Sequence, residues 1–362
     1  GKLGGDMLNA PEHLDKLVTA AYASLGNDDW DPAISHMWIW GSVRSDDSFK
    51  GGGSVGDQGE MDFMEQFVTI RTDLGKPNRF WTNVYEGIGR ANDALGRIDQ
   101  ATEADYPQKI EREAELRFLR GHWYFLLKIM FKNPVWVDET VAKEEIKNIP
   151  NLVYTSDEFW DKIAEDFEFA ANNLPLVQDQ IGRASQTAAW AYLAKVRLYQ
   201  AYEQNDKHEV TSINREHLQQ VITYADYVIN SGKHNLSPDF ADNFLVETKN
   251  GPESIFAIQF SVDDGTPTGR IFKAAGLNYN MAPEFGCCDF HNPSQNMVNA
   301  FRTDENGLPL HDSFDEVVLK NPEDFWNNTI DPRFDHTVGV AGHPFKYIPD
   351  WIYQPNWRRA PH

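Results

Sequence analysis

Three acidic pairs offer the first chemistry to weigh: Asp46-Asp47, Asp263-Asp264 and Asp304-Glu305. Two carboxyl groups roughly 5 to 10 Å apart, one acting as acid and the other as base or nucleophile, can cleave a glycosidic bond. In a chain with 55 Asp and Glu residues, however, such pairs are ordinarily solvated loop groups. Asp263-Asp264-Gly265 could give oxygens to calcium, yet it lacks the ligand series of a dedicated loop. His122 has no zinc partner at motif spacing and reads as a satisfied helix histidine. No G-x-S-x-G, G-x-x-x-x-G-K, G-x-G-x-x-G or H-E-x-x-H phrase occurs. The expectation is therefore no catalytic residue and no cofactor, with calcium the one metal weighed.

Aromatic residues in polar loops are the stronger lead. Sugar rings present C–H faces that stack on Trp, Tyr and Phe, while Asn, Asp, Arg and Lys bond the hydroxyls. Two regions combine both types: Arg44–Lys50, joined by Arg71–Trp81, and Arg270–Asn296. Tyr279, Phe285 and Phe290 are the expected stacking rings, and Asp46, Asp47, Lys50 and Asn78 the expected hydrogen-bonding partners. The plainer alternative for each ring is that it pins its loop to the core.

Bulk properties bound the rest. At 362 residues, 41% hydrophobic and 13% aromatic, the chain can bury a sizeable core. A formal net charge of −22 repels phosphate backbones and excludes nucleic acid as a partner. No stretch approaches the roughly 18 to 20 apolar residues of a membrane span. Cys287 and Cys288 are the only cysteines, and neighbours rarely bond to each other, so no disulfide framework is expected. The chain begins at Gly1, which reads as a trimmed form.

The elements that must position these loops are helices. Leu14, Leu17, Val18, Ala21 and Leu25 share one apolar face, as do Val84, Ile88, Ala91, Leu95 and Ile98. Ala114, Phe118, Gly121 and Phe125 mark a third helix that stops at Asn133-Pro134. Ser156 is the expected cap of a fourth, with Phe159, Ile163, Phe167, Ala170 and Leu174 inward. Ala189, Leu193, Val196 and Gln200 define the next, and Leu218, Ile222, Ala225 and Ile229 the last. Aromatics followed by alanines suggest stacked helix pairs, spaced too irregularly for a period of about 34 residues. The reading is mainly α: a degenerate tetratricopeptide-like helical repeat scaffold over 1–235. Residues 236–362 form a loop-rich variable half with minor β, a strand being expected over Ser254–Ser261.

Several phrases in order resemble the SusD/RagB family of outer-membrane nutrient-binding lipoproteins. They are Leu17–Leu25, Ser45-Asp46-Asp47-Ser48-Phe49, and Trp81-x-x-x-Tyr85-x-x-Ile88-x-x-Ala91-Asn92. Ala114–Phe125 follows (A-E-L-R-F-L-R-G-H-W-Y-F, Gly121 replacing the usual Ala), then Arg183–Ala189 and Glu253–Phe260. Asn296–Phe301 and Asp331-Pro332-Arg333 match loosely. The family's closing R-x-A-D/E-x-L-L-M-x-A-E-like helix and its lipid-bearing cysteine are absent, so a missing C-terminal segment and a removed anchor are expected.

The resemblance implies a surface-exposed outer-membrane protein held by a lipid anchor alone. It would bind oligosaccharide or another nutrient for a SusC-like TonB-dependent transporter, without converting it. Two rivals are weighed: a glycoside hydrolase built on a helical toroid, and a helical-repeat adaptor for peptides. The residues of the family phrases themselves speak for fold. Glu115 and Arg117, interleaved with Leu116, Phe118 and Leu119, suggest partly buried ion pairs, and Trp81, Tyr85 and Ile88 suggest packing.

Overall fold

The computed structural model describes residues 8–26, 37–260, 280–284, 286 and 288–359. In chain order the elements begin α1 (Pro11–Ala23), β1 (Ser48–Gly51), α2 (Gly59–Glu65), α3 (Gly75–Gln100), α4 (Lys109–Met130) and α5 (Ser156–Asn173). Next come α6 (Gln186–Ala201), β2 (Tyr202–Gln204), β3 (Val210–Ile213) and α7 (Arg215–Asn230). The remainder are β4 (Phe290–Pro293), α8 (Gln295–Ala300), α9 (Pro322–Trp326), α10 (Phe334–Thr337), β5 (Pro344–Phe345) and β6 (Ile348–Ile352). They divide into two compact units, Gly1–Asn27 with Phe80–Ser261, and Asp28–Arg79 with Val262–His362.

The first unit is the helical scaffold, in which α1 packs on α4, α4 on α5, α5 on α6 and α6 on α7. Its core is aromatic: Phe80, Phe118, Trp123, Tyr124, Phe125 and Phe167 are fully buried. The Phe167 and Tyr192 rings stack at 4.6 Å. Glycine permits the closest approaches, since a Cβ on Gly87 would lie 2.5 Å from the Trp123 ring and one on Gly121 3.0 Å from Phe167.

Polar groups on the helices hold the extended segment that follows α4. Tyr85 OH donates to Val135 O at 2.7 Å and accepts from Val135 N at 2.8 Å. Tyr124 OH makes the same two-way pair with Val137, at 2.8 and 2.6 Å, and Asn92 Nδ2 donates to Val137 O at 2.9 Å. Every backbone N–H and C=O withdrawn from water needs such a partner. Tyr85 and Asn92 thus do more than pack.

Most buried charges here are paired. Asp166, 1% exposed, accepts from Arg120 Nε at 2.7 Å and from Arg117 Nε at 3.0 Å. Arg120 also bonds Glu139 and Asn92. Glu115, with no exposed surface, accepts from Arg183 at 2.8 Å and from Arg112. The pairs expected within the Glu115–Arg117 phrase therefore run between elements, not merely along one helix.

Four expectations change. The α5 cap is Thr155, whose hydroxyl accepts from Glu158 N (3.2 Å) while the Glu158 carboxylate takes Thr155 N (2.7 Å). Ser156 is instead the first helical residue. In α7 Val228 is the buried residue, whereas Ile222 and Ile229 are 54% and 68% exposed. The inward stripe runs through Val221, Tyr224 and Val228, one position from Ile222 and Ile229, and Tyr224 reaches Glu168. Residues 254–260 form no strand, because a strand needs a ladder and no partner strand pairs with them among the described residues. Phe256 packs on Phe118 (5.0 Å) and Gln259 pairs with Asn250. A short antiparallel hairpin, β2–β3, interrupts the helices instead.

The second unit is loop-rich, with antiparallel pairs β1–β4 and β5–β6. One small core gathers Ile39, Met61 and Met64 with Trp38 and Trp40; another gathers Val298, Leu319 and Phe334. Pairing of Phe49 with Asn292 and of Gly51 with Phe290 places residues 28–79 with the C-terminal part, so the division does not fall at residue 235.

His122 lends itself to a pH test. It is buried, its Nδ1 sits 2.6 Å from Tyr192 OH, and burial, aided by the Lys195 charge, pushes its pKa down to about 4. The unfolded chain then binds a proton that the fold refuses, so this stability is present above pH 6.5 and is lost as pH falls towards 4. Urea unfolding should show wild type losing about 3 kcal/mol more than His122→Gln between pH 7 and 4. Parallel curves would place the proton elsewhere.

Candidate functional site

The turn carrying Asp46 and Asp47 is built by the β1–β4 pair. Gly51 runs at φ +71°, and a Cβ there would meet Asp289 O at 2.3 Å, so only glycine allows the approach. Asp289, 1% exposed and itself at φ +62°, accepts from Arg359 N at 2.7 Å. Its backbone oxygen takes Gly52 N at 2.7 Å and Asn292 Nδ2 at 2.7 Å. Ser294 anchors the turn from the other strand, its N–H to Asp47 O at 3.0 Å and its hydroxyl to Asp46 O. His291 adds a 2.6 Å contact to Ser42 Oγ and stacks on Trp38 at 4.9 Å.

The expected site residues fare differently. Asp46, at φ +66°, and Asp47 are exposed, with Asp47 accepting from Ser45 Oγ at 3.1 Å. Lys50, expected to bond ligand, is 3% exposed and spends its ammonium on Ser54 O (2.8 Å) and Asp57 O (2.7 Å). Burial lowers its pKa against the pull of Asp62, Asp57 and Glu65. Its role is to close the 51–59 loop. The Phe290 ring covers Gly52 and sits 5.8 Å from the Lys50 ammonium, so it too anchors that loop. Asn78 is exposed and donates to Thr72 O at 2.8 Å. Trp81 packs in the helical unit against Tyr85 and Phe131. Tyr279, Phe285 and the Asp263-Asp264 pair lie outside the described residues, as does Cys287. Cys288 is disulfide-bonded.

One feature was missed by sequence reasoning. Beyond α2 the chain exposes Phe67 (58%), Val68 (45%) and Ile70 (51%) in succession. Phe67 and Thr69 hold φ of +56° and +53°. A β-branched Thr there is a genuine outlier, costing on the order of 1–3 kcal/mol, and such outliers gather at ligand sites. The Arg44 guanidinium lies 4.1 Å over the Phe67 ring and donates to Met64 O at 3.1 Å. A solvent-facing ring and a cation thus meet at Phe67, and the exposed carboxylates of Asp46 and Asp47 follow Arg44 in the chain. The signal was available in the apolar run Phe67-Val68-Thr69-Ile70, which reads as buried until its positive φ values are known.

This surface suits capture better than conversion. A glycosidase acid needs a carboxyl group shielded from water, and Asp46 and Asp47 stand in solvent. No group of three or more His, Cys, Asp or Glu that could hold a metal occurs among the described residues, and no described helix is long and apolar enough to cross a membrane.

The helical-repeat unit and the loop-rich unit define a class of fold. Residues 6–198 match the SusD-like family described as "Starch-binding associating with outer membrane", and the chain belongs to that family. SusD-like protein P2 of Formosa agariphila is 25% identical over 285 residues, covering 75% of this chain and 51% of its own. The chain thus spans about half the length of that relative. Surface glycan-binding protein A from Bacteroides fluxus superposes with a TM-score of 0.63 at 23% identity, covering 81% of this chain and 62% of its own. The Bacteroides thetaiotaomicron protein of the same name, solved with laminarihexaose, gives 0.62 at 20% identity, covering 89% and 68%. These likenesses establish the fold.

Lys50→Met should lower stability by about 1–3 kcal/mol, because Ser54 O and Asp57 O lose their donor. Denaturant unfolding with a glycan-binding assay checks this. Full stability with lost binding would return Lys50 to the ligand surface.

Proposed function

We propose that this protein captures oligosaccharide at the outer surface of a Gram-negative cell, without cleaving it, for delivery to a TonB-dependent outer-membrane transporter. The observation that carries the reading is the exposed Phe67 ring backed by Arg44, with the exposed Asp46 and Asp47 next along the chain. A sugar's C–H face fits the ring, and its hydroxyls fit the guanidinium and carboxylates. The family's description and the glycan-binding names of its structural neighbours support the same class of ligand. Delivery to a transporter and residence at the membrane are what the family resemblance implies, and the absence of a cofactor is part of the same proposal.

The test is calorimetry of the full chain against laminarihexaose, xylogluco-oligosaccharide and maltohexaose. At least one should bind, and Phe67→Ala should weaken it by about tenfold, or about 1.4 kcal/mol, with an unchanged melting temperature. Reducing-end assays should show no release. Release that disappears in Asp46→Asn or Asp47→Asn would instead make the protein a glycoside hydrolase.

A further inference from the structure

Away from the Phe67 surface, the second unit carries another aromatic feature. Phe325 and Trp326 end α9 as consecutive residues with opposite fates. Phe325 packs inward against Phe334, with ring centroids 5.1 Å apart. Trp326 is 69% exposed, and one face of its indole is covered by His343 at 4.5 Å and 18°. Its other face is open. Such a large ring left in solvent costs apolar burial that α9 could have avoided by placing a polar residue there.

Beside this pair lies a cleft of about 400 Å³, within the size range of small-molecule sites, lined in part by Trp326, Asp331, Asp335, His343, Phe345 and Lys346. Its charged groups differ in availability. Asp331 is held by Arg333 in a fork (3.0 and 2.5 Å). Asp335 and Lys346 are exposed, with no ion pair to any described residue. His343 Nε2 is sealed from water and has no hydrogen-bond partner among the described residues.

We propose that Trp326, His343 and this cleft form a second carbohydrate site, taking one or two sugar units of a neutral glycan. The inference rests on the glycan-binding reading and shares no residue with the Phe67 surface. The indole supplies the stacking platform, Asp335 accepts from ring hydroxyls, and Lys346 donates to them. His343 covers the inner face of the indole and so fixes its plane. A chain carrying net charge −22, with a carboxylate at this cleft, disfavours sulfated or uronate-rich polymers.

Full-length protein labelled with 5-fluorotryptophan gives each indole its own fluorine resonance, and Trp326→Phe assigns the relevant one. Laminarihexaose, xylogluco-oligosaccharide and maltohexaose are titrated separately, alongside calorimetry. A probe that binds should shift the Trp326 resonance saturably, and the shift should persist in Phe67→Ala. Trp326→Ala, at an exposed position, should keep its melting temperature and lose about half of the bound probe at saturation. A probe that binds by calorimetry while the Trp326 resonance stays still would overturn the second site and leave the primary reading intact. Binding of none of the three to wild type would overturn both.

Discussion

The helical unit depends on one buried arrangement of charge: two guanidinium groups, from Arg117 and Arg120, on the Asp166 carboxylate. An unpaired ion at that depth would cost several kcal/mol, so any packing of α4 on α5 that separates these groups is excluded. Arg120 extends the constraint to Asn92 on α3 and to Glu139 beyond α4. Glu115 adds a second fixed point through Arg183, ahead of α6. Aromatic burial supplies the bulk of the driving force, but it is tolerant of register, whereas these pairs are not. Helices locked in this way tolerate wide variation in the loops beyond them.

The second unit is organised by a different constraint, the long-range pairing of β1 with β4. Residues far apart in sequence must close on each other, and Asp289, Asn292, Gly51 and Lys50 supply the hydrogen bonds and the space for that closure. Lys50 and Phe290 are consumed by it. What remains in solvent is the Ser45–Asp47 turn and a Phe67 tip whose backbone is held in an unfavoured conformation, with the half-buried Arg44 over its ring. Strain of this kind persists only where the surroundings over-determine it, and Arg44 bonded to Met64 O provides part of that hold.

The helices and most of their inward faces were legible because burial imposes a 3.6-residue period on residue type. That legibility faded where tertiary contacts override local pattern. In α7 the inward stripe runs through Tyr224 and Val228 and leaves Ile222 and Ile229 in solvent. At 254–260 an alternating run lacked a neighbouring strand, and alternation specifies a face without guaranteeing a ladder. At the site, residue type alone could not separate Lys50 and Phe290, which hold the loop, from Asp46 and Asp47, which face solvent. Phe67 was overlooked because an apolar run is expected to be core; Trp326 was overlooked because its five-residue helix is too short to show a period.

The central claim is that carbohydrate is held by the loop unit and not by the helical scaffold. Hydrogen exchange of the full chain, with and without saturating amounts of whichever oligosaccharide binds by calorimetry, reads this directly. The account predicts slowed exchange in residues 44–50 and 66–71 and little change in α4, α5 and α6. Protection confined to the helical unit, with 44–50 and 66–71 unaffected, would contradict it.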